Sequence, residues 1–157
     1  MIHTVYGQTT TSYLSLLESK INTSVADANL RWLFKFTNDM TKTVKYVYGT
    51  VVSTNERHIN QTFAHNTSEN IFNSLINFKP YGYWSYEVYE VSWKGTVGVN
   101  DTNAPNSETE VLSVHNDNGI VQGKVHEGKL YVTETAGSEQ IQYTEHTEST
   151  TNYLYSN

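Results

Sequence analysis

Apolar and polar positions alternate with a period of two in several short stretches of this chain. In NLRWLFKFTND (29 to 39), Leu30, Trp32, Phe34 and Phe36 face one way while Arg31, Lys35 and Thr37 face the other, the pattern of a half-buried strand. Asn38 and Asp39 then supply turn chemistry. PYGYWSYEVYE (80 to 90) sets Trp84, Tyr86 and Val88 against Tyr83, Ser85, Glu87 and Tyr89, with Pro80 and Gly82 at its entry, and predicts a central strand of an antiparallel sheet. In RHINQTFAH (57 to 65), Ile59, Gln61 and Phe63 share a strand face. TKTVKYVYGTVVS (41 to 53) is β-branched and aromatic, and predicts one strand in which Gly49 marks a bulge or a close backbone approach.

Other stretches leave alternatives. TSYLSLLES (11 to 19) fits a short helix capped by Thr or Ser, or a strand with Leu14 and Leu16 opposite Tyr13, Ser15 and Leu17; apolar residues on both faces and the β-rich surroundings favour the strand. TSENIFNSLINF (67 to 78) is the best helical candidate, with Ser68 as cap and Ile71, Phe72, Leu75 and Ile76 at helical spacing, a strand being the alternative. VNDTNAPNSE (99 to 108) is the strongest loop signal. ETEVLSVHN (108 to 116) predicts a strand closed by Asp117, Asn118 and Gly119, and EQIQYTEHT (139 to 147) another. Glu127 and Gly128, between Val125 and Leu130, predict a tight hairpin turn. About eight or nine short strands at even spacing predict an all-β fold, an antiparallel β-sandwich of Ig-like or jelly-roll connectivity with one short helix near 68 to 77.

Composition agrees with that class. The chain has 157 residues, with 37% apolar, 17% charged and 13% aromatic, and owes its polarity mainly to Thr, Ser and Asn. Thr, Tyr, Val and Phe suit a pleated surface, and the length suits a single domain spanning 1 to 157 with a polar C-terminal tail from about 145. The net charge of −6 and the lack of a Lys/Arg cluster oppose binding to a phosphate backbone, so nucleic acid is not an expected partner. No cysteine is present, which excludes disulfides, thiolate catalysis and Cys-based zinc sites. MIHTVYGQTTTS shows no leader pattern and no stretch has the length and apolarity of a membrane span, so a soluble chain without membrane association is expected.

The catalytic motifs are missing. His3, His58, His65, His115, His126 and His146 are scattered without ligand spacing, and no nucleophile elbow, P-loop or dinucleotide fingerprint occurs. Glu87 and Glu90 fall on opposite strand faces and cannot flank one glycosidic bond; a cross-strand pair of Glu87 with Lys45 or Lys35 is the ordinary expectation. Asn100, Asp101 and Asn103 lack the remaining ligands of a calcium loop. No enzyme activity, metal or cofactor is therefore expected. Trp32, Phe34, Trp84 and Tyr86 are expected in the core, whereas Tyr81, Tyr89 and Trp93 fall on less apolar faces and are candidates for a contact surface. Tyr153, Leu154 and Tyr155 are candidates for docking from the polar tail.

TSYLSLLE (11 to 18), LRWLFKFTND (30 to 39), GYWSYEVYE (82 to 90) and VHEGKLYV (125 to 132), in that order, resemble small virion proteins of tailed bacteriophages. The resemblance implies a β-sandwich structural component of the particle, an auxiliary or decoration protein of the capsid, localised to the virion in a multi-copy assembly with other virion proteins as partners. It carries over no catalytic residues, and the loop at 99 to 108 and the chain after 136 have no counterpart in it. The acidic charge favours an exterior position. The alternative is a carbohydrate-binding or receptor-binding β-sandwich module, since exposed Trp and Tyr rings can stack on sugars.

Overall fold

A computed structural model of the chain describes residues 1–135. Two sheets pack face to face, as an all-β sandwich requires. The first holds β1 (Ile2–Val5), β3 (Leu30–Asn38), β4 (Val44–Tyr48), β8 (Gly82–Ser92) and β9 (Ile120–Thr133), in the order β1-β9-β8-β3-β4. The second holds β2 (Thr10–Leu14), β6 (Ile59–His65) and β5 (Thr50–Thr54), in the order β2-β6-β5, with the two-residue β7 (Leu75–Ile76) parallel to β6. Pairing is antiparallel except for β7 on β6 and β1 on β9, where Ile2 lies beside Leu130 and Val5 beside Thr133. No helix among the described residues is long and apolar enough to cross a membrane.

The period-two stretches become the central strands. β3 pairs with β8 from Leu30 beside Ser92 to Asn38 beside Trp84, so Trp32, Phe34, Phe36, Trp84, Tyr86 and Val88 share the inward face. Ile59 and Phe63 meet them from β6; the Phe63 ring stands edge-on to Phe34 at 4.8 Å and to Phe36 at 5.7 Å. Such edge contacts match ring quadrupoles and add to the stabilisation from burial. Between residues 11 and 19 the strand reading holds for the first half: β2 ends at Leu14, and residues 17–19 form a 3-10 turn.

Four expected elements differ. The stretch 41 to 53 is two strands in two sheets, broken at Gly49, where any Cβ would collide with the side chain of Gln61 on β6. The helix expected near 68 to 77 is only a 3-10 turn over 71–73, capped by Asn70 rather than Ser68: Asn70 Oδ1 accepts from the Phe72 N–H at 3.0 Å. Ser74 then takes a left-handed conformation (φ 57°), which ends the turn, and the Asn-rich sequence favours these local bonds over helix propagation. The segment 108 to 116 is no strand, because it lies on the outside of the sandwich without a partner. Finally, Glu127 and Gly128 are not a hairpin turn. They lie inside the continuous β9, and Gly128 serves close approach: a Cβ there would meet the Tyr86 hydroxyl at 2.6 Å and Cζ at 2.8 Å. The strand expected over 139 to 147, His146, and Tyr153, Leu154 and Tyr155 lie outside the described residues.

Candidate functional site

The outward face of the five-stranded sheet carries the odd positions of β3 and β8, and it divides into three zones. At one end Leu33, Tyr48, Val91 and Trp93 are buried, because the connection from β8 to β9 folds back over them and inserts Ala104, with Val97 and Val99 alongside. The Trp93 Nε1–H donates to the Asn103 carbonyl at 3.2 Å and the Tyr48 hydroxyl donates to the Pro105 carbonyl at 2.6 Å. Trp93, expected on a contact surface, is thus 0% exposed, a correction with a plain cause: its own following loop covers it.

In the middle zone Lys35 Nζ donates to Glu108 Oε1 at 2.5 Å and lies 3.7 Å from Glu87, the cross-strand partner expected for that acid. The Tyr46 hydroxyl donates to Glu108 Oε2 at 2.5 Å and the Tyr89 hydroxyl to Glu87 Oε2 at 2.9 Å. Burial raises both tyrosines well above the ordinary phenol range, with the carboxylate contacts adding to it, so both remain protonated donors. Burial by itself raises the Glu108 carboxyl, but the hydrogen bonds from Lys35 and Tyr46 outweigh it and hold the group below its usual range. Tyr89, expected as an exposed contact, is half-buried in this network. The far end is open: Tyr83 is exposed and packs on Tyr131 at 4.6 Å, and Lys129 bridges Asp39 at 2.7 Å.

Glu90 points the other way, as its parity predicts, and is fully buried. Its two carboxylate oxygens accept from the backbone N–H groups of Ile21 at 2.7 Å and Asn22 at 3.0 Å, which clamps the 15–29 segment onto the sandwich. A carboxylate taken out of water needs such donors. Tyr81 is half-buried against the edge of Tyr6 at 5.0 Å, with Lys79 Nζ 5.9 Å above its ring.

A cleft of about 550 Å³ opens where β4 passes into β5. Leu30, Trp32, Tyr48 and Phe72 form its apolar wall, and Asp27, Arg31, Thr50 and Ser74 its polar groups. Most of these polar groups are engaged locally. Asp27 pairs with Lys20 at 2.9 Å; Ser74 Oγ donates to the Tyr48 carbonyl at 2.6 Å and lies 2.7 Å from Thr50 Oγ1. Arg31 Nη1 donates to the Ala28 carbonyl at 3.0 Å and the Leu30 carbonyl at 2.6 Å, and desolvation lowers the guanidinium pKa. Ser74 sits here in its left-handed conformation, a strained backbone held by buried hydroxyl bonds. Sequence reading missed this cleft because it gathers residues from five separate segments, none of which carries a motif.

No group of three His, Cys, Asp or Glu among the described residues could hold a metal ion. The five described histidines have different neighbours: His3 meets Tyr131, His58 Tyr13, His65 Tyr6, His115 Asp117, and His126 stacks on Tyr86. Asn100 Oδ1 accepts from the backbone N–H groups of Thr102 at 3.0 Å and Asn103 at 2.8 Å, so it shapes its own loop. No family model matches the chain, and no curated protein or solved structure matches it.

Proposed function

We propose that this chain is a non-enzymatic structural protein of a bacteriophage particle, an auxiliary or decoration subunit bound to the capsid exterior. The observation that supports it best is the segment 110 to 115: it has the β-branched pattern of a strand, yet belongs to no sheet, and Val111 and Val114 are 92% and 104% exposed. With Ile120 beside it at 45% exposed, this is apolar, strand-forming chain held out to solvent, the kind of element that adds to a neighbouring subunit's sheet edge. The four segments that resemble virion proteins and the acidic charge point the same way. Cosedimentation of the purified chain with particles lacking it, followed by electron microscopy, tests the role. Regular density on the shell is the expected result, reduced by Val111→Asp with Val114→Asp; an empty pellet fraction would remove the capsid role.

A second reading, a carbohydrate-binding or receptor-binding module, is favoured by one specific feature, the cleft walled by Trp32, Tyr48 and Phe72 with Arg31 at its rim. Pockets of this size with apolar walls and a few placed polar groups are the usual form of a small-molecule site. Trp93 and Tyr89, the rings first considered for stacking, take no part in it, being covered or engaged on the outer face.

A further inference from the structure

We infer that this cleft takes the end of an oligosaccharide bearing a single acidic sugar, whose carboxylate Arg31 receives. The inference rests on the second reading above and names its ligand class.

Three features lead to it. First, Arg31 is half-buried and only its Nη1 is spent on carbonyl oxygens, while no carboxylate among the described residues pairs with it. Asp27, on the same rim, is held by Lys20. A desolvated guanidinium with open N–H groups presents a fork matched to a planar carboxylate, and uncompensated charge of this kind favours an anionic occupant. Second, the wall pairs apolar surface from Trp32 and Phe72 with the Thr50 hydroxyl, which donates to Ser74 Oγ and so meets a ligand as an acceptor. A sugar offers the same combination, apolar C–H faces together with hydroxyl groups.

Third, a second depression of about 460 Å³ adjoins the cleft across Phe72 and Val99, which line both. Its own polar lining is Glu69, Asn70, Asn73, Asn100 and Asp101. Glu69 is held there by Lys45 at 2.6 Å, so Asp101 is the acid left to accept from sugar hydroxyls, and it repels a second negative charge, as does the net charge of −6. A polyanion is therefore disfavoured. A fatty acid would leave the polar second depression without partners. A chain with one terminal acid and neutral units behind it satisfies both ends.

Calorimetric titration of the purified chain with matched pairs tests this: 3′-sialyllactose against lactose, and cellobiouronic acid against cellobiose, with trigalacturonate as the polyanion. At least one acidic member is expected to bind about tenfold to a hundredfold tighter than its neutral partner, the range of one charge-assisted contact. Arg31→Gln is expected to erase the difference between the acidic and neutral member of each pair, and Arg31→Lys to restore part of it. Because Arg31 also holds two backbone carbonyls, Phe72→Ala supplies an independent variant that weakens acidic and neutral ligands alike. Equal affinity within both pairs, or tightest binding to trigalacturonate, overturns the inference while the second reading stands. No binding by any of the five probes removes the second reading as well.

Discussion

The two apolar clusters of this domain are built on opposite rules. Between the sheets, Phe34, Phe36, Trp84, Tyr86 and Val88 come from alternate positions of two paired strands, and Ile59 and Phe63 close over them from the second layer. On the outer face, Leu33, Tyr48, Val91 and Trp93 also come from strands, but what buries them is an irregular loop that supplies Ala104 and leans Val97 and Val99 against them. Strand pairing therefore organises the first cluster from within, whereas the second depends on irregular chain staying folded down, the connection from β8 to β9 together with Ile71 and Phe72 of the 71–73 turn. A covering loop of this kind has fewer cooperative contacts and opens at lower free energy than the layer beneath it. The contrast also separates the roles of the outer face: its covered end is core, its middle is a charged seam and its far end is surface.

Changes that test this difference rank by size. Phe34→Ala is expected to cost about 3–5 kcal/mol, because it removes a ring that contacts Phe36, Phe63 and Tyr86 and leaves a cavity between rigid sheets; chemical denaturation would show a single transition at a lower midpoint. Trp93→Ala removes a larger ring but is expected to cost less globally, about 2–4 kcal/mol, and to act first on the loop. Limited proteolysis should then cut between residues 94 and 118 while the far-UV β signal persists. Should both variants lower the midpoint equally without such cleavage, the two clusters form one cooperative unit.

Gly128→Ala comes next, at about 1–3 kcal/mol, since its methyl group would press on the buried Tyr86 ring. The smallest effect belongs to the seam. Glu108 has a folded-state pKa below its ordinary value of 4.5, so its contribution is present above pH 4.5 and is lost as pH falls through the folded value. Lys35, raised above 10.5 chiefly by its hydrogen bond to Glu108, contributes below that value and loses its contribution as pH rises past it. Protease sensitivity of the loop should therefore increase below about pH 4.5, and Glu108→Gln should flatten that rise while costing no more than about 1 kcal/mol at neutral pH.

What was legible in the sequence follows from these same rules. β3, β6 and β8, the inward placement of Trp32, Phe34, Trp84 and Tyr86, and the opposed faces of Glu87 and Glu90 all follow from the two-residue period, which is a local property of an extended chain, while the β3–β8 register chose Lys35 over Lys45 as the partner of Glu87. The loop at 99 to 108 was equally plain. Misreadings occurred where one residue type serves two purposes. Gly128 looks like a turn glycine and is a packing glycine; Gly49 makes the close approach its context suggests, to Gln61, but lies between two strands of different sheets rather than inside one strand; Val111 and Val114 look like strand residues and find no strand to join. Ile71, Phe72, Leu75 and Ile76 have helical spacing, yet the local bonding of Asn70 and Ser74 decides otherwise.

By itself, then, the sequence determined the all-β class, the inner faces of the central strands and the absence of the familiar catalytic motifs, because each depends on residue types at short, regular separations. Tertiary structure alone decided that Trp93 is core rather than contact surface, that Glu90 is a buried clamp for residues 21 and 22, and that Arg31, Trp32, Tyr48 and Phe72 share one cleft. Each of these depends on which distant segment comes to lie over a given face. That is set by the summed packing of the whole chain and leaves no period in the sequence.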